Sequence, residues 1–239
     1  INKNIYGNPS SIHQLGQIAH NIIERARKKI ASLLNCKESE IYFTSGGSES
    51  NNIALRGVLN PGDHLITSSY EHPAISNVAK LLKKENVEVS YIDPDSNGII
   101  NPKKVHKHLK DNTRMISIML ANNEIGSINP LKDIIELCKS ENIIIHTDAV
   151  QYIGKEDIDL FDLNIDLLSL GAHKFYGPKG IGALYIKNGL SVSPIIIGGG
   201  QEKGISPGTE NVSLISAMAY ALELSINKLE TTTNSAEDA

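Results

Sequence analysis

From residue 41 onward, short apolar runs rich in Ile, Val and Leu alternate with longer stretches whose apolar residues recur every three or four positions. A chain that alternates strand and helix in this way has few folds open to it. Consecutive parallel strands need a helical crossover, and the crossovers cover the sheet faces. The spacing predicts strands over 41–44, 64–68, 87–92, 115–120, 166–170 and 182–186, with another starting at 143. It predicts helices over 48–59, 73–84, 102–109, 130–141 and 211–229. An earlier helix over 18–34 carries Ile18, Ile22, Ile23, Ala26, Ile30 and Leu33 at helical spacing. The class is therefore α/β, with a mostly parallel, mixed sheet flanked by helices. The 239 residues read as one large domain over 1–230 and a polar, disordered tail over 231–239.

Composition removes several functions. The formal net charge is -4 and Trp is absent, so no basic face or row of stacking aromatics points to nucleic acid. No apolar run approaches the length of a membrane span. Two cysteines, Cys36 and Cys138, are too few for a disulfide framework and fit a reducing compartment. The cytoplasm is the expectation. An organellar matrix is the alternative, since a removed transit peptide leaves no trace. The start lacks both Met and a signal peptide and reads as trimmed.

In parallel sheets ligands sit beyond the carboxyl ends of the strands. Five segments place polar side chains there. Phe43-Thr44-Ser45-Gly46-Gly47-Ser48-Glu49-Ser50-Asn51-Asn52 is a glycine turn entering a helix, where free amides and the Ser48 hydroxyl suit a phosphate. Alone it reads equally well as a capped helix. Tyr70-Glu71-His72-Pro73 offers a histidine that can stack on a ring or shuttle a proton. Its plainer reading is a satisfied helix start. Asn122-Asn123-Glu124-Ile125-Gly126 offers the Asn123 amide, or is an ordinary turn.

His146-Thr147-Asp148-Ala149-Val150-Gln151 puts Asp148 at a strand end. There it can hold a protonated pyridine nitrogen, with Gln151 near a ring hydroxyl, or it can cap the next helix. His173-Lys174-Phe175-Tyr176-Gly177-Pro178-Lys179-Gly180 holds Lys174 among apolar residues and glycines. An amine that loses its hydration there can attack a carbonyl; the alternative is a surface lysine in a turn. Together the five meet the needs of pyridoxal phosphate: phosphate cradle, ring partner, nitrogen partner and covalent anchor. His106 and His108, on a lysine-rich helix, read as a solvated face rather than a metal site.

On these motifs the sequence resembles the cysteine desulfurases, class-V members of the fold-type-I pyridoxal-phosphate enzymes. Tyr6-Gly7-Asn8-Pro9-Ser10-Ser11-Ile12-His13, Gly198-Gly199-Gly200-Gln201-Glu202 and Gly208-Thr209-Glu210-Asn211 extend the resemblance. The resemblance implies that Lys174 holds the cofactor as a Schiff base and that His72 stacks on the ring and moves protons. Asp148 pairs with the ring nitrogen, and Gln151 and Asn123 touch the ring hydroxyl side. Gly47, Ser48 and His173 bind the phosphate, and Thr209 reaches the phosphate across a homodimer interface. It further implies L-cysteine as substrate, alanine as product, an enzyme persulfide, and an iron–sulfur scaffold or other sulfur acceptor as partner.

The family's persulfide-forming cysteine and its substrate-carboxylate arginine belong to a C-terminal part that these residues do not include, along with the small domain. Cys36 and Cys138 read as buried, inert thiols. Gly171 stands where the family has a phosphate-binding serine, Ser48 where threonine is commoner, and Lys203, Ser206 and Pro207 replace the usual pattern before Gly208-Thr209. Rival readings are another enzyme on the same scaffold (selenocysteine lyase, cystine lyase or class-V aminotransferase) and a non-catalytic cofactor-binding remnant. A dinucleotide-binding domain lacks its G-x-G-x-x-G.

Overall fold

The computed structural model describes residues 5–139 and 141–237, with the backbone alone from residue 230. Seven strands form one sheet: β1 (Ile41–Thr44), β2 (His64–Ser68), β3 (Glu88–Ile92), β4 (Thr113–Ser117), β5 (Ile144–Asp148), β6 (Leu167–Gly171) and β7 (Gly182–Ile186). Their order across the sheet is β1-β7-β6-β5-β4-β2-β3. Strands β3, β2, β4, β5 and β6 pair in parallel, and β7 pairs antiparallel with both β6 and β1. Only β7 runs against the rest. The β6–β7 link is too short for a helical crossover, so the chain must turn back on itself.

Adjacent residues on the central strands go to opposite layers, as the pleat requires. Leu65, Met115, Ile144 and Leu167 pack on one face against Ile53, Leu55, Ile75 and Leu82. These come from α2 (Gly47–Arg56) and α3 (Pro73–Lys84). Their neighbours Ile66, Ile116, Ile145 and Leu168 pack on the other face with Ile23, Ile30, Leu131, Ile134, Ile215 and Met218. Those six belong to α1 (Gln14–Leu33), α5 (Leu131–Leu137) and α7 (Val212–Glu237). Truncating a fully buried side chain such as Ile66 or Leu168 to alanine is expected to cost about 2–5 kcal/mol.

The helical elements are completed by α4 (Pro102–Lys107) and α6 (Leu160–Leu163). The four-residue α6 has too short a period to be read from sequence. Helix α1 starts earlier than its apolar spacing suggests, because the His13 ring accepts the Gly16 amide at 3.2 Å and caps it. Helix α7 does not stop at Leu229: its backbone stays helical to Glu237, through most of the stretch read as a disordered tail. Strand pairing in β4 ends at Ser117, although residues 118–120 remain buried.

Candidate active site

The parallel strands share a direction, so their carboxyl ends meet along one edge of the sheet. A cleft of about 580 Å³ opens there, a size suited to a small cofactor. Its wall contains Gly47, Ser48, His72, Asn123, Asp148, Gln151, His173 and Lys174. Among the residues singled out from sequence, Thr209 is not in this wall. It lines a neighbouring cavity of about 590 Å³, which shares Ser48 and Glu49 with the cleft.

The phosphate-type turn is built by close approach. Gly46 has φ 153°, a conformation that disfavours a side chain. A Cβ on Gly47 would lie 2.7 Å from Val150 Cγ2, so glycine lets α2 begin directly beside the end of β5. Glu49 accepts the Ser45 amide at 2.6 Å, and the Thr44 and Ser50 hydroxyls share a hydrogen bond of 2.8 Å. These contacts fix the turn while the first-turn amides of α2 have no intrahelical acceptor.

Asp148 ends β5 and is buried. Its carboxylate accepts the Asn51 side-chain amide at 2.7 Å and the Val150 N–H at 2.9 Å. Burial pushes its pKa up, and the two hydrogen bonds and the nearby His72 oppose the rise. Asn51 carries an Oδ1 that is buried without a protein partner. Sequence reading did not single out Asn51. Its signal was a polar residue at helical spacing from Ala54 and Leu55 on the buried face of α2, which also carries Ser50 and Ile53.

Lys174 lies in a 3₁₀ turn, Ala172–Phe175, that follows β6 at once. Phe175 and Ala172 are fully buried on either side of it, and the Ser225 hydroxyl donates to the Phe175 carbonyl at 3.1 Å. The backbone under Lys174 is thus anchored to α7 while the side chain faces the cleft. His173 has its pKa lowered by desolvation, then by the charges of Lys174 and Lys179. Gln151 presents its Oε1 to Lys155 Nζ at 2.6 Å, which leaves its amide N–H groups for another partner.

His72 caps α3 through Nδ1, which accepts the Ala74 N–H at 3.1 Å. A neutral ring in this arrangement carries its proton on Nε2. Asn123 is exposed at the cleft mouth, on a turn held by Asn122 Oδ1, which accepts the amides of Glu124 and Ile125 at 2.9 and 3.0 Å.

The aminotransferase class-V family model matches residues 2–238. The cysteine desulfurase IscS of Clostridium botulinum is 46% identical over 228 residues, covering 94% of this chain and 57% of its own length. A solved NifS-like protein superposes with a TM-score of 0.93 at 39% identity, over 96% of this chain and 65% of that one. A structure described as SspA in complex with cysteine gives 0.88 at 42% identity, over 92% and 65%. The chain belongs to the aminotransferase class-V family. It spans well under two thirds of the length of the curated relative described above.

The class-V cleft fits pyridoxal phosphate by the chemistry of its donors. Free amides, Ser48 and His173 suit a phosphate, a buried carboxylate suits a pyridinium, and a lysine amine suits an aldehyde. A Cβ on Gly171 would sit 3.5 Å from the Gly47 nitrogen and 3.7 Å from the His173 ring, in ordinary contact. A Cβ at position 171 therefore meets no clash.

Neither cysteine lines the cleft. Burial and Glu40 push the Cys36 thiol up to about 12, and burial followed by Glu141 raises Cys138. The segment before Thr209 is held from elsewhere. Glu202, in a left-handed conformation, accepts two hydrogen bonds of 2.8 Å from the Arg27 guanidinium and one of 2.8 Å from the Phe43 amide. Lys203 donates to the Ser39 carbonyl at 2.8 Å, and Ser206 donates to Glu49 at 2.8 Å.

Proposed function

We propose that this chain is the pyridoxal-phosphate-binding part of a cysteine desulfurase. The observation that carries the reading is the convergence of Lys174, Asp148 and the amide-rich start of α2 on one cleft. The relatives' names and the cysteine-bound structural neighbour narrow the substrate to L-cysteine.

When bound, the cofactor supplies an electron sink that lets bonds at the substrate α-carbon and β-carbon break heterolytically. The chain's own residues do the rest. The α2 amides, Ser48 and His173 hold the phosphate. Asp148, kept in place by Asn51 and Val150, would pair with the ring nitrogen and favour its protonated form. Lys174 is the amine that anchors the cofactor. His72 would cover the ring and, with Nδ1 taken by the Ala74 amide, would carry on Nε2 the proton it passes on. Gln151 and Asn123 donate to the ring hydroxyl side.

The overall reaction transfers the sulfur of L-cysteine to an enzyme thiolate as a persulfide and releases alanine. Cys36 and Cys138 are poor candidates for that thiolate, because burial keeps both protonated. The thiolate, the substrate-carboxylate arginine and the small domain belong to the part of the relatives that these residues do not span. In this reading residues 1–230 form the large domain. The protein works as a homodimer in which Thr209 serves the partner's phosphate. An iron–sulfur scaffold or another acceptor collects the sulfur. Two free cysteines suit a reducing setting, the cytoplasm or an organellar matrix.

The test is the visible absorption of the purified chain with pyridoxal phosphate, beside Lys174→Ala, before and after L-cysteine. A band that needs Lys174 and shifts with L-cysteine is expected. Absence of any band in the wild type removes the cofactor reading. A Lys174-dependent band that moves with L-selenocysteine or L-cystine and not with L-cysteine transfers the chain to a different lyase.

A further inference from the structure

We propose that Glu71 is a positioning residue. It staples the turn carrying His72 to the segment leaving β4, and so sets where the His72 ring stands over the cleft.

The geometry is specific. Glu71 follows β2, is buried, and its Oε1 accepts two hydrogen bonds from different parts of the sheet edge. One comes from the Ser68 hydroxyl at 2.5 Å, at the end of β2, and the other from the Met119 amide at 2.9 Å, beyond β4. Met119 itself lines the cleft beside His72. Glu71 therefore fixes the distance between two walls of the site and directly precedes the residue that covers it. His72 cannot relax independently, because the Ile75 and Ser76 amides donate to its carbonyl and Ala74 to its ring.

The protonation of the carboxyl follows from the same contacts. Both donors converge on Oε1, while Oε2 is buried with no protein partner. A lone oxygen accepting twice beside an unpaired one suits a neutral acid, with Oε1 as its carbonyl. Burial raises the Glu71 pKa to about 8 and the charge of Asp148 adds to the rise, while the bonds from Ser68 and Met119 oppose it. Nearby contacts hold the two segments together without Glu71: Asn129 donates to the Met119 carbonyl at 2.8 Å and to the Tyr70 hydroxyl at 2.9 Å. Removing Glu71 should thus loosen His72 without unfolding the edge.

The inference rests on the cofactor reading for its purpose but not for its test. Glu71→Gln preserves a neutral side chain with a carbonyl at Oε1; Glu71→Leu preserves volume and removes both bonds. In the chain without cofactor, hydrogen exchange of the Ala74, Ile75 and Ser76 amides reports whether His72 is held. Glu71→Leu is expected to lose protection there by roughly ten-fold and Glu71→Gln by less than about two-fold. In the loaded chain, the induced circular dichroism of the cofactor band should fall by more than about half in the Leu variant and persist in the Gln variant.

Equal protection in Leu and wild type overturns the staple, as does a Gln variant no better than Leu. If Glu71→Leu fails to fold, Ser68→Ala replaces it, and unchanged exchange at residues 74–76 in that variant overturns the proposal. A wild type without a cofactor band defeats the cofactor reading alone, and the exchange arm still decides the staple.

Discussion

The two ends of the sheet treat buried polarity differently. At the amino end, His64 opens β2 fully buried, and both ring nitrogens are satisfied, by Thr113 Oγ1 at 2.8 Å and Ser90 Oγ at 2.9 Å. At or near the carboxyl end, Asn51 Oδ1, Thr67 Oγ1, Glu71 Oε2 and Ser127 Oγ are buried without protein partners among the described residues. An unpaired buried polar atom costs roughly 1–3 kcal/mol. Of these residues Asn51 lines the cleft, where a bound molecule can satisfy its oxygen; Glu210 Oε2, also buried and unpaired, belongs to the neighbouring cavity. The same fold hosts a fully buried histidine in the middle: His146 sits between Ser117 and Ser169 hydroxyls, and burial lowers its pKa to about 3. Histidine alone therefore says little here; satisfaction separates core from site.

The sharpest way to break this contrast is at Lys174. Borohydride reduction and mass spectrometry should place a pyridoxyl group on the Lys174 peptide, and Lys174→Ala should abolish it entirely. Labelling elsewhere would dissolve the distinction between the ends.

The next effect is on stability against pH. Glu71 rises from an ordinary 4.5 to about 8 in the folded chain. The stability tied to its neutral form is complete below about 4.5 and falls as pH rises to about 8, by roughly 1.4 kcal/mol per unit. Urea unfolding of Glu71→Gln should lack that decline. Parallel curves for both proteins would mean that the carboxyl is ionised in the fold.

Asp148→Asn should weaken cofactor binding roughly 10- to 100-fold, the size of one charge-assisted hydrogen bond, measured by fluorescence titration. At the other end, His64→Leu removes the ring partners of the Thr113 and Ser90 hydroxyls, of which Thr113 keeps the Lys110 amide, and should cost about 1 kcal/mol in denaturant while leaving that titration unchanged. A loss of cofactor affinity from His64→Leu would show that the two ends are coupled. The smallest expected effect is a gain: Gly171→Ser adds a hydroxyl on a Cβ that meets no clash and should tighten cofactor binding about ten-fold.

Much of the contrast was legible in the sequence. The strands announced themselves because most are covered on both faces and so read as continuous apolar runs. Gly47, Asp148 and Lys174 stood out because each directly follows such a run. The direction of β7 was not assigned from sequence, although its link to β6 is too short for a helical crossover. What stayed hidden depends on tertiary meetings: Asn51 reaching Asp148 across 97 positions of sequence, and Arg27 reaching Glu202 across 175. The helical continuation of α7 to Glu237 was missed because a polar stretch following an apolar helix carries no local stop signal.

The contact between Gly47 and Val150 has a consequence for what can be held. It presses the start of α2 against the residue whose amide clamps Asp148, so the anion-binding amides and the carboxylate are gauged against each other by van der Waals radii. On the proposed reading, a ligand that used both the α2 amides and Asp148 would need its anionic group and its basic nitrogen at the one separation this packing sets.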